Sequence, residues 1–578
     1  MASTKALLLG LIPCAMAAAV GKGNASSSNC RVLPVDAAWP KASVWNKLNE
    51  TLNGHLIAST PISSVCHNGP LGAYNAQQCA SLQATWENTL INHIASPAEI
   101  LSQVFQNYSC VPFTPQSQPC ELGNYANYVV NVTGADDVKA ALSFANHNNI
   151  RVVIKNTGHD YLGKSTGKGG LSLWTHNLKS KSYIPSYNSS YYKGPAAKLG
   201  AGVEGFEAYE LARDTGNRVV GGTCPTVGIV GGYSQGGGHS LLSSASGLGS
   251  DNVLEWEVVT ANGSHLVATP EQNQDLYWAL SGGGAGTFAV VLSMTARLHK
   301  DSIIGSTLLS FNDSVVGNDA FFDAVAAFHA LLPPFLDGNN SFTYSIGNTS
   351  FTAYATMPGA DLNKTNALLV PFLDDLRKRG ITPSNTPKVS TNYYDHFYDF
   401  LGPAPYGTAT EAPFLTSRII PRSIVSDQQG IKTLGSLFRN VTQISAGAFA
   451  PFYCDSFNVK HQEHPDNAVL PAWRDGFTLC SPAAAWDWKA TPEQMHELDV
   501  QAGTVVQPML DAATPGGGIY LNEANRWFKD WKQEFYGTNY ERLLKIKNKY
   551  DPRSLLYVLT GVGSDAWVEE ADGRLCRA

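Results

Sequence analysis

The chain has 578 residues, of which 43% are hydrophobic and 15% charged, and its formal net charge is −7. That length exceeds one simple core, and the apolar fraction excludes a disordered chain. The acidic balance, with no basic block, argues against nucleic acid and anionic membranes as partners.

Residues 1–20 read as a secretory signal: Lys5 is followed by an apolar run over 6–20 with small residues at 17–19. The run falls short of the ~20 residues that span a bilayer. Frequent N-x-S/T sequons, Asn107, Asn188, Asn348 and Asn440 among them, predict N-glycans on a secreted protein. Cysteine usage agrees. Of 10 cysteines, Cys14 leaves with the signal, so an odd number remains in an oxidising compartment. Cys224 is the candidate left outside the disulfides, because its glycine-rich setting is unlike the others. No metal-ligand spacing is present.

Residues 21–120 read as a Cys-rich extension. A β-α-β unit follows: "YANYVVNV", a helix with Thr133 as cap and Asp136 and Asp137 in its first turn, then "IRVVIK". The loop leaving the second strand is "KNTGHDYLG", residues 155–163. Ligands of such units bind at the carboxyl ends of strands. Over 217–300, glycine loops alternate with strands, and Asn262-Gly263 predicts a hairpin turn. Residues 301–515 read as a second, α+β unit. Residues 516–578 close the chain with a helix over 539–550, stopped by Asp551-Pro552.

"GGGAGTFA", residues 282–289, has the outline of a Rossmann fingerprint. A helix precedes it and a strand follows, which is the reverse of what that fingerprint needs. The glycines still let backbone amides approach an anion, and the loops at 156–158, 221–238 and 282–286 offer three such sets. His159 directly follows the first of them and Cys224 lies in the second. An imidazole nitrogen and a thiol are the nucleophiles needed to attach a flavin at two points of its dimethylbenzene ring.

On these motifs the chain resembles the vanillyl-alcohol-oxidase/p-cresol-methylhydroxylase-type FAD-linked oxidoreductases, in the berberine-bridge-enzyme-like branch. "KNTGHDYLG" is similar to the flavin-linking pyrophosphate loop, and "TCPTVGIVGGYSQGGGHS" to the C-P-T-V-G loop. "GLGSDNVLEWEVVTANG", "DLYWALSGGGAGTFAVV" and "YLNEANRW…NYERLLKIKNKYDPRSLLY" extend the likeness. The resemblance implies an α+β fold: a two-part FAD-binding domain (121–300, with 516–578 returning to it) and an inserted substrate domain (301–515) on an antiparallel sheet. It implies FAD held bicovalently, His159 on the 8α-methyl and Cys224 on C6. The matching positions expected to bind the cofactor are Lys155, Asn156, Thr157, Gly158, Asp160, Gly163, Val227, Gly228, Gly232, Gly237, Gly238, Asn252, Val253, Val290 and Asn522.

Two departures stand out. Lys155 and Thr157 replace an Arg and a Gly of the pyrophosphate loop, so the phosphate contact changes from a fork to a point charge. The plant Y-x-N-Y motif becomes Tyr520-Leu521-Asn522-Glu523, which makes Glu523, with Tyr520 beside it, the expected catalytic pair. If this stretch is a strand, neighbours alternate faces, and Glu523 points away from Tyr520 and Asn522. The expected reaction is hydride removal from a small-molecule C–H, an alcohol carbon, with molecular oxygen reoxidising the flavin to give hydrogen peroxide; Val227 sits where the family tunes oxygen access. Oxidative cyclisation of a secondary metabolite and a non-catalytic glycan-binding role, with Trp256 or Trp278 as platform, are the competing readings. A monomer is expected.

Overall fold

A computed structural model describes residues 29–86, 90–402 and 414–578. The signal read at 1–20 lies outside them. Three sheets organise the chain. The first orders Leu56–Ala58, Tyr128–Asn131, Gly170–Trp174 and Arg151–Lys155, the last three parallel. The β-α-β unit is present around the helix Ala135–His147, but its two strands are not neighbours. The strand Gly170–Trp174 runs between them, buried along its whole length as a central parallel strand is. Thr133 is not the helix cap either. Gly134 takes that place, and Asp137 accepts hydrogen bonds from the Thr133 N–H and hydroxyl at 2.8 and 2.7 Å.

The second sheet is antiparallel, in the order Lys181–Asn188, Lys193–Gly200, Ala289–Arg297, Val253–Thr260 and His265–Ala268. Val253–Thr260 and His265–Ala268 form the expected hairpin, with Gly263 at φ +84°. The helix before the glycine loop spans Gln274–Leu280, and the strand Ala289–Arg297 follows it, so the order is the reverse of a Rossmann unit. Trp256 and Trp278 are 0% and 3% exposed, which removes them as sugar platforms.

The third sheet has eight antiparallel strands drawn from 304–484. One of its faces packs on the helices Gly317–Asp337, Leu362–Lys378 and Gln428–Thr442 in a core of Phe321, Phe328, Phe342 and Phe438. Gly317–Asp337 is long and apolar enough to cross a membrane, and its burial against this sheet makes it a core helix. The opposite face looks toward the glycine loops.

The two ends of the described residues meet. Cys30 is bonded to Cys576, and Leu556 bridges Val152 at the edge of the first sheet. Cys66–Cys79, Cys110–Cys120 and Cys454–Cys480 complete four disulfides, consistent with an oxidising compartment. Cys224 stands outside them.

Candidate active site

A cavity of about 710 Å³ lies between the glycine loops and the free face of the eight-stranded sheet. That is the size of a cofactor or small-molecule site. Its walls bring together Asn156, Thr157, Gly158, His159 and Asp160 from one loop, and Cys224, Val227, Gly228 and Gly232 from a second. Tyr520, Asn522 and Glu523 come from the C-terminal segment. The third glycine loop contributes Ala285 and Gly286.

The first loop is shaped by Asp160, whose carboxylate accepts the N–H groups of Leu162, Lys164 and Ser165 at 3.2, 2.6 and 3.1 Å. Gly158, at φ +93°, makes the turn that presents His159. His159 Nε2 lies 2.8 Å from the Thr226 hydroxyl, and Cys224 Sγ lies 3.6 Å from the same oxygen. Asn156 packs against the second loop. Its Nδ2 donates to Ala201 O and Thr175 Oγ1, and its Oδ1 sits 2.0 Å from where a Cβ on Gly228 would stand. Only glycine fits there.

Several expected cofactor residues lie elsewhere. Lys155 is turned away from the cavity: its Nζ donates to the carbonyls of His93 and Ser96 behind the loop. Burial pulls its ammonium down to about 7, while burial pushes the nearby Glu99 carboxyl up to about 7. Among the described residues, Lys164 is the only Lys or Arg on the cavity wall. Its Nζ donates to Leu521 O at 3.2 Å, and burial lowers it to about 8. Gly163 packs on Phe105, where a side chain would clash. Gly237 and Gly238, at φ +127° and +83°, form the turn ahead of His239 without lining the cavity. Asn252 binds the carbonyls of Ser246 and Leu248, and Val253 and Val290 are core residues.

The alternation expected for 520–523 does not hold, because this stretch is a turn closed by Glu523 N–H donating to Tyr520 O at 2.9 Å. Tyr520, Asn522 and Glu523 therefore all face the cavity, and Leu521 enters the core. Asn522 Nδ2 donates to Gly232 O and to the Tyr520 hydroxyl, both at 2.8 Å. Burial, then the Glu523 charge, raises the Tyr520 phenol above its usual range, so it stays protonated.

Sequence reasoning missed the partners of Glu523. Its Oε1 lies 2.8 Å from His239 Nε2, and its Oε2 accepts the Ser481 hydroxyl at 2.7 Å. His239 Nδ1 lies 2.9 Å from Asp455 Oδ2, and Asp455 also accepts the Thr343 hydroxyl. Burial alone would discharge His239, but Glu523 and Asp455 together raise it to about 10. The imidazolium is thus held between two carboxylates, one from the sheet and one from the C-terminal turn. The one local signal was the histidine closing the run "QGGGHS". Of the aromatics of the second unit, Tyr344, Tyr354, Phe400 and Tyr453 line the cavity, while Tyr393 and His396 are buried away from it.

The donors present fit a dinucleotide flavin. Asn156 Oδ1 is a buried acceptor without a protein partner, pressed against Gly228 of the second loop at the edge of the cavity. Glycine turns from three loops line the cavity, with Lys164 and the His239 imidazolium on its wall.

Comparisons with known proteins agree. A family described as "FAD binding domain" matches residues 126–269, and "Berberine and berberine like" matches 519–563. The chain is 66% identical over 552 residues to the VAO-type flavoprotein oxidase VAO615 of Thermothelomyces thermophilus, covering 96% of each chain. It is 48% identical to the bifunctional decalin synthase calF of Penicillium decumbens, over 100% of both. The crystal structure of the VAO-type flavoprotein MtVAO615 from Myceliophthora thermophila C1 superposes with a TM-score of 0.94 at 66% identity, over 95% of this chain and 100% of that one. A structure of glucooligosaccharide oxidase from Acremonium strictum, described with a 6-S-cysteinyl, 8α-N1-histidyl FAD, shares the fold at a TM-score of 0.62 and 19% identity, over 76% and 91% of the two chains. The chain belongs to the VAO-type flavoprotein oxidases of the berberine-bridge-like branch, and it is an FAD-linked oxidoreductase.

Proposed function

We propose that this protein is a secreted oxidase that takes a hydride from an alcohol carbon of a small molecule, with FAD tethered through His159 and Cys224 and oxygen as the final acceptor. The observation that carries the reading is the Glu523 carboxylate on the wall of the cavity that also holds His159 and Cys224. Bound flavin supplies the hydride acceptor. The chain supplies the base and its setting. Glu523 takes the hydroxyl proton as the C–H bond breaks, when the developing positive charge on carbon acidifies that hydroxyl. His239 and Ser481 fix both carboxylate oxygens, and the protonated Tyr520 is a hydrogen-bond donor beside them. The tethered thiol and imidazole account for a cysteine outside the disulfides and for a histidine on a glycine turn. The fold-sharing glucooligosaccharide oxidase carries such a double link. Val227 on the wall leaves a small side chain on the path of oxygen.

The test is acid precipitation of the purified protein, followed by a panel of primary and secondary alcohols assayed for hydrogen peroxide. Flavin colour that stays in the pellet for His159→Ala and for Cys224→Ala, and leaves only in the double variant, supports two tethers. Flavin in the supernatant of wild type overturns them. Peroxide with an aldehyde or ketone product supports the alcohol reading. The decalin synthase relative favours a second reading, oxidative cyclisation, which a cyclised product would establish.

A further inference from the structure

The register of the eight-stranded sheet sorts its cavity face into rows. Side chains alternate along a strand, so Tyr453 and Asp455 of Phe452–Ser456 face the cavity, while Cys454 turns into the helical core and is bonded there to Cys480. Asp455 pairs with Thr343 in one row, which serves His239. The next row runs Thr352, Ser345, Tyr453 and Ser481 across four strands, and all of it lines the cavity. Tyr453 is the one large side chain in that row. It stands between two serines and is 54% exposed. Among the described residues its ring stacks on no other ring and its hydroxyl has no hydrogen-bond partner. Tyr354, on the same face, is already packed edge-on against Phe400, with centroids 3.5 Å apart.

We propose that Tyr453 is the platform that selects the substrate by a ring, and that Ser345 and Thr352 read a second oxygen on that ring. The inference deepens the alcohol-oxidase reading and rests on it. Ser481 lies directly across from Tyr453 and donates its hydroxyl to Glu523 at 2.7 Å. Neighbouring strands are about 4.8 Å apart. A substrate ring lying on Tyr453 therefore carries a carbinol carbon, one bond outside the ring, over Ser481 and toward Glu523. An open chain of the same carbon count must freeze several rotors to reach that place, and it offers no flat face to the tyrosine. On the other side of the platform, the Ser345 and Thr352 hydroxyls have no protein partner among the described residues. Each can donate and accept. A hydroxyl or ether oxygen across the ring from the carbinol meets them.

The substrate class is thus a ring alcohol with its reacting hydroxyl on an exocyclic carbon and a second oxygen at the far side of the ring. A saturated ring meets the tyrosine face through its axial C–H bonds, and an aromatic ring stacks on it. Both share the recognition chemistry, and the arms of the test separate them.

The test measures kcat/KM for matched alcohols with flavin-loaded wild type, Tyr453→Phe, Tyr453→Leu and Tyr453→Ala, each checked for flavin content and thermal unfolding. Cyclohexylmethanol and benzyl alcohol are set against 1-heptanol, and 4-(hydroxymethyl)cyclohexanol against cyclohexylmethanol. Wild type and Tyr453→Phe are expected to prefer a ring to the open chain by about tenfold. Tyr453→Leu and Tyr453→Ala are expected to lose that preference through KM, because the platform binds ground state and transition state alike. The ring that loses more, saturated or aromatic, names the kind of substrate. The double variant Ser345→Ala/Thr352→Ala is expected to cut the preference for the hydroxylated ring by about threefold or more. A ring preference that survives in both Tyr453→Leu and Tyr453→Ala overturns the platform. An undiminished preference for the hydroxylated ring in the double variant overturns the reading of the second oxygen. If alanine prevents folding, leucine decides. If wild type oxidises 1-heptanol as well as the rings, Tyr453 loses its role and the alcohol reading stands. If no alcohol of the panel reduces the flavin, the alcohol reading fails and the role of Tyr453 with it.

Discussion

Two groups of opposite charges, one fully buried and one on the cavity wall, flank the same stretch of chain and behave differently. Behind the His159 loop, Glu99 and Lys155 face each other's field. Glu99 accepts Ile62 N–H at 2.8 Å and the Tyr125 hydroxyl at 3.0 Å. Burial moves both ionisations toward neutrality, the carboxyl up and the ammonium down, each to about 7. On the cavity side, Glu523 and Asp455 hold His239 from two directions, and the imidazole moves toward charge, to about 10. The difference is one of stoichiometry. A single opposing charge does not offset the desolvation of two buried ions, whereas two carboxylates on one ring do. The first group plugs the space behind the loop. The second keeps fixed charge beside the carboxylate proposed to take the substrate proton.

Four changes break or sharpen this contrast. The largest effect is expected from Glu523→Gln, which keeps the shape and removes the proposed base. Flavin reduction by substrate should slow by about 10²–10⁴-fold, with flavin content unchanged, in stopped-flow measurements. Next is His239→Gln. Leaving two carboxylates without their cation should cost about 3–5 kcal/mol in denaturant unfolding. The third is pH. Because the folded value of His239 lies above its ordinary 6.5, its contribution is fully present below 6.5 and is lost as pH rises through about 10. Wild-type unfolding temperature should fall from pH 7 to 10, and His239→Gln should flatten that fall. The smallest effect is expected from Glu99→Gln, which can still accept from Ile62. Thermal unfolding should register a loss of about 1 kcal/mol, because little charge is removed. A loss as large as that of His239→Gln would erase the distinction between the two groups.

What the sequence revealed was local. The turn that bears His159, the setting of Cys224 and the hairpin at Asn262-Gly263 each need only a few neighbouring residues, so pattern and cysteine parity exposed them. Lys155 was misread because its partners are the carbonyls of His93 and Ser96, supplied by an extension whose packing no periodicity encodes. The strand-like reading of 520–523 failed because a single backbone bond folds the stretch into a turn. The cluster around His239 was hidden for a third reason. Glu523 is 284 residues away along the chain, and Asp455 arrives on a different sheet. That juxtaposition is a property of how the units dock.

The bond between Cys30 and Cys576 has a consequence for the whole chain. Its sulfurs are separated by 546 positions, so the polypeptide between them is a closed ring. In the chain-entropy account such a closure disfavours the unfolded ensemble by about 6 kcal/mol. It also changes what damage means. A single backbone cut anywhere within the ring leaves one covalent molecule, and the segment that carries Asn522 and Glu523 cannot diffuse away from the loops it faces. A protease can nick this enzyme once without separating it into pieces, and a reductant would release the cut ends.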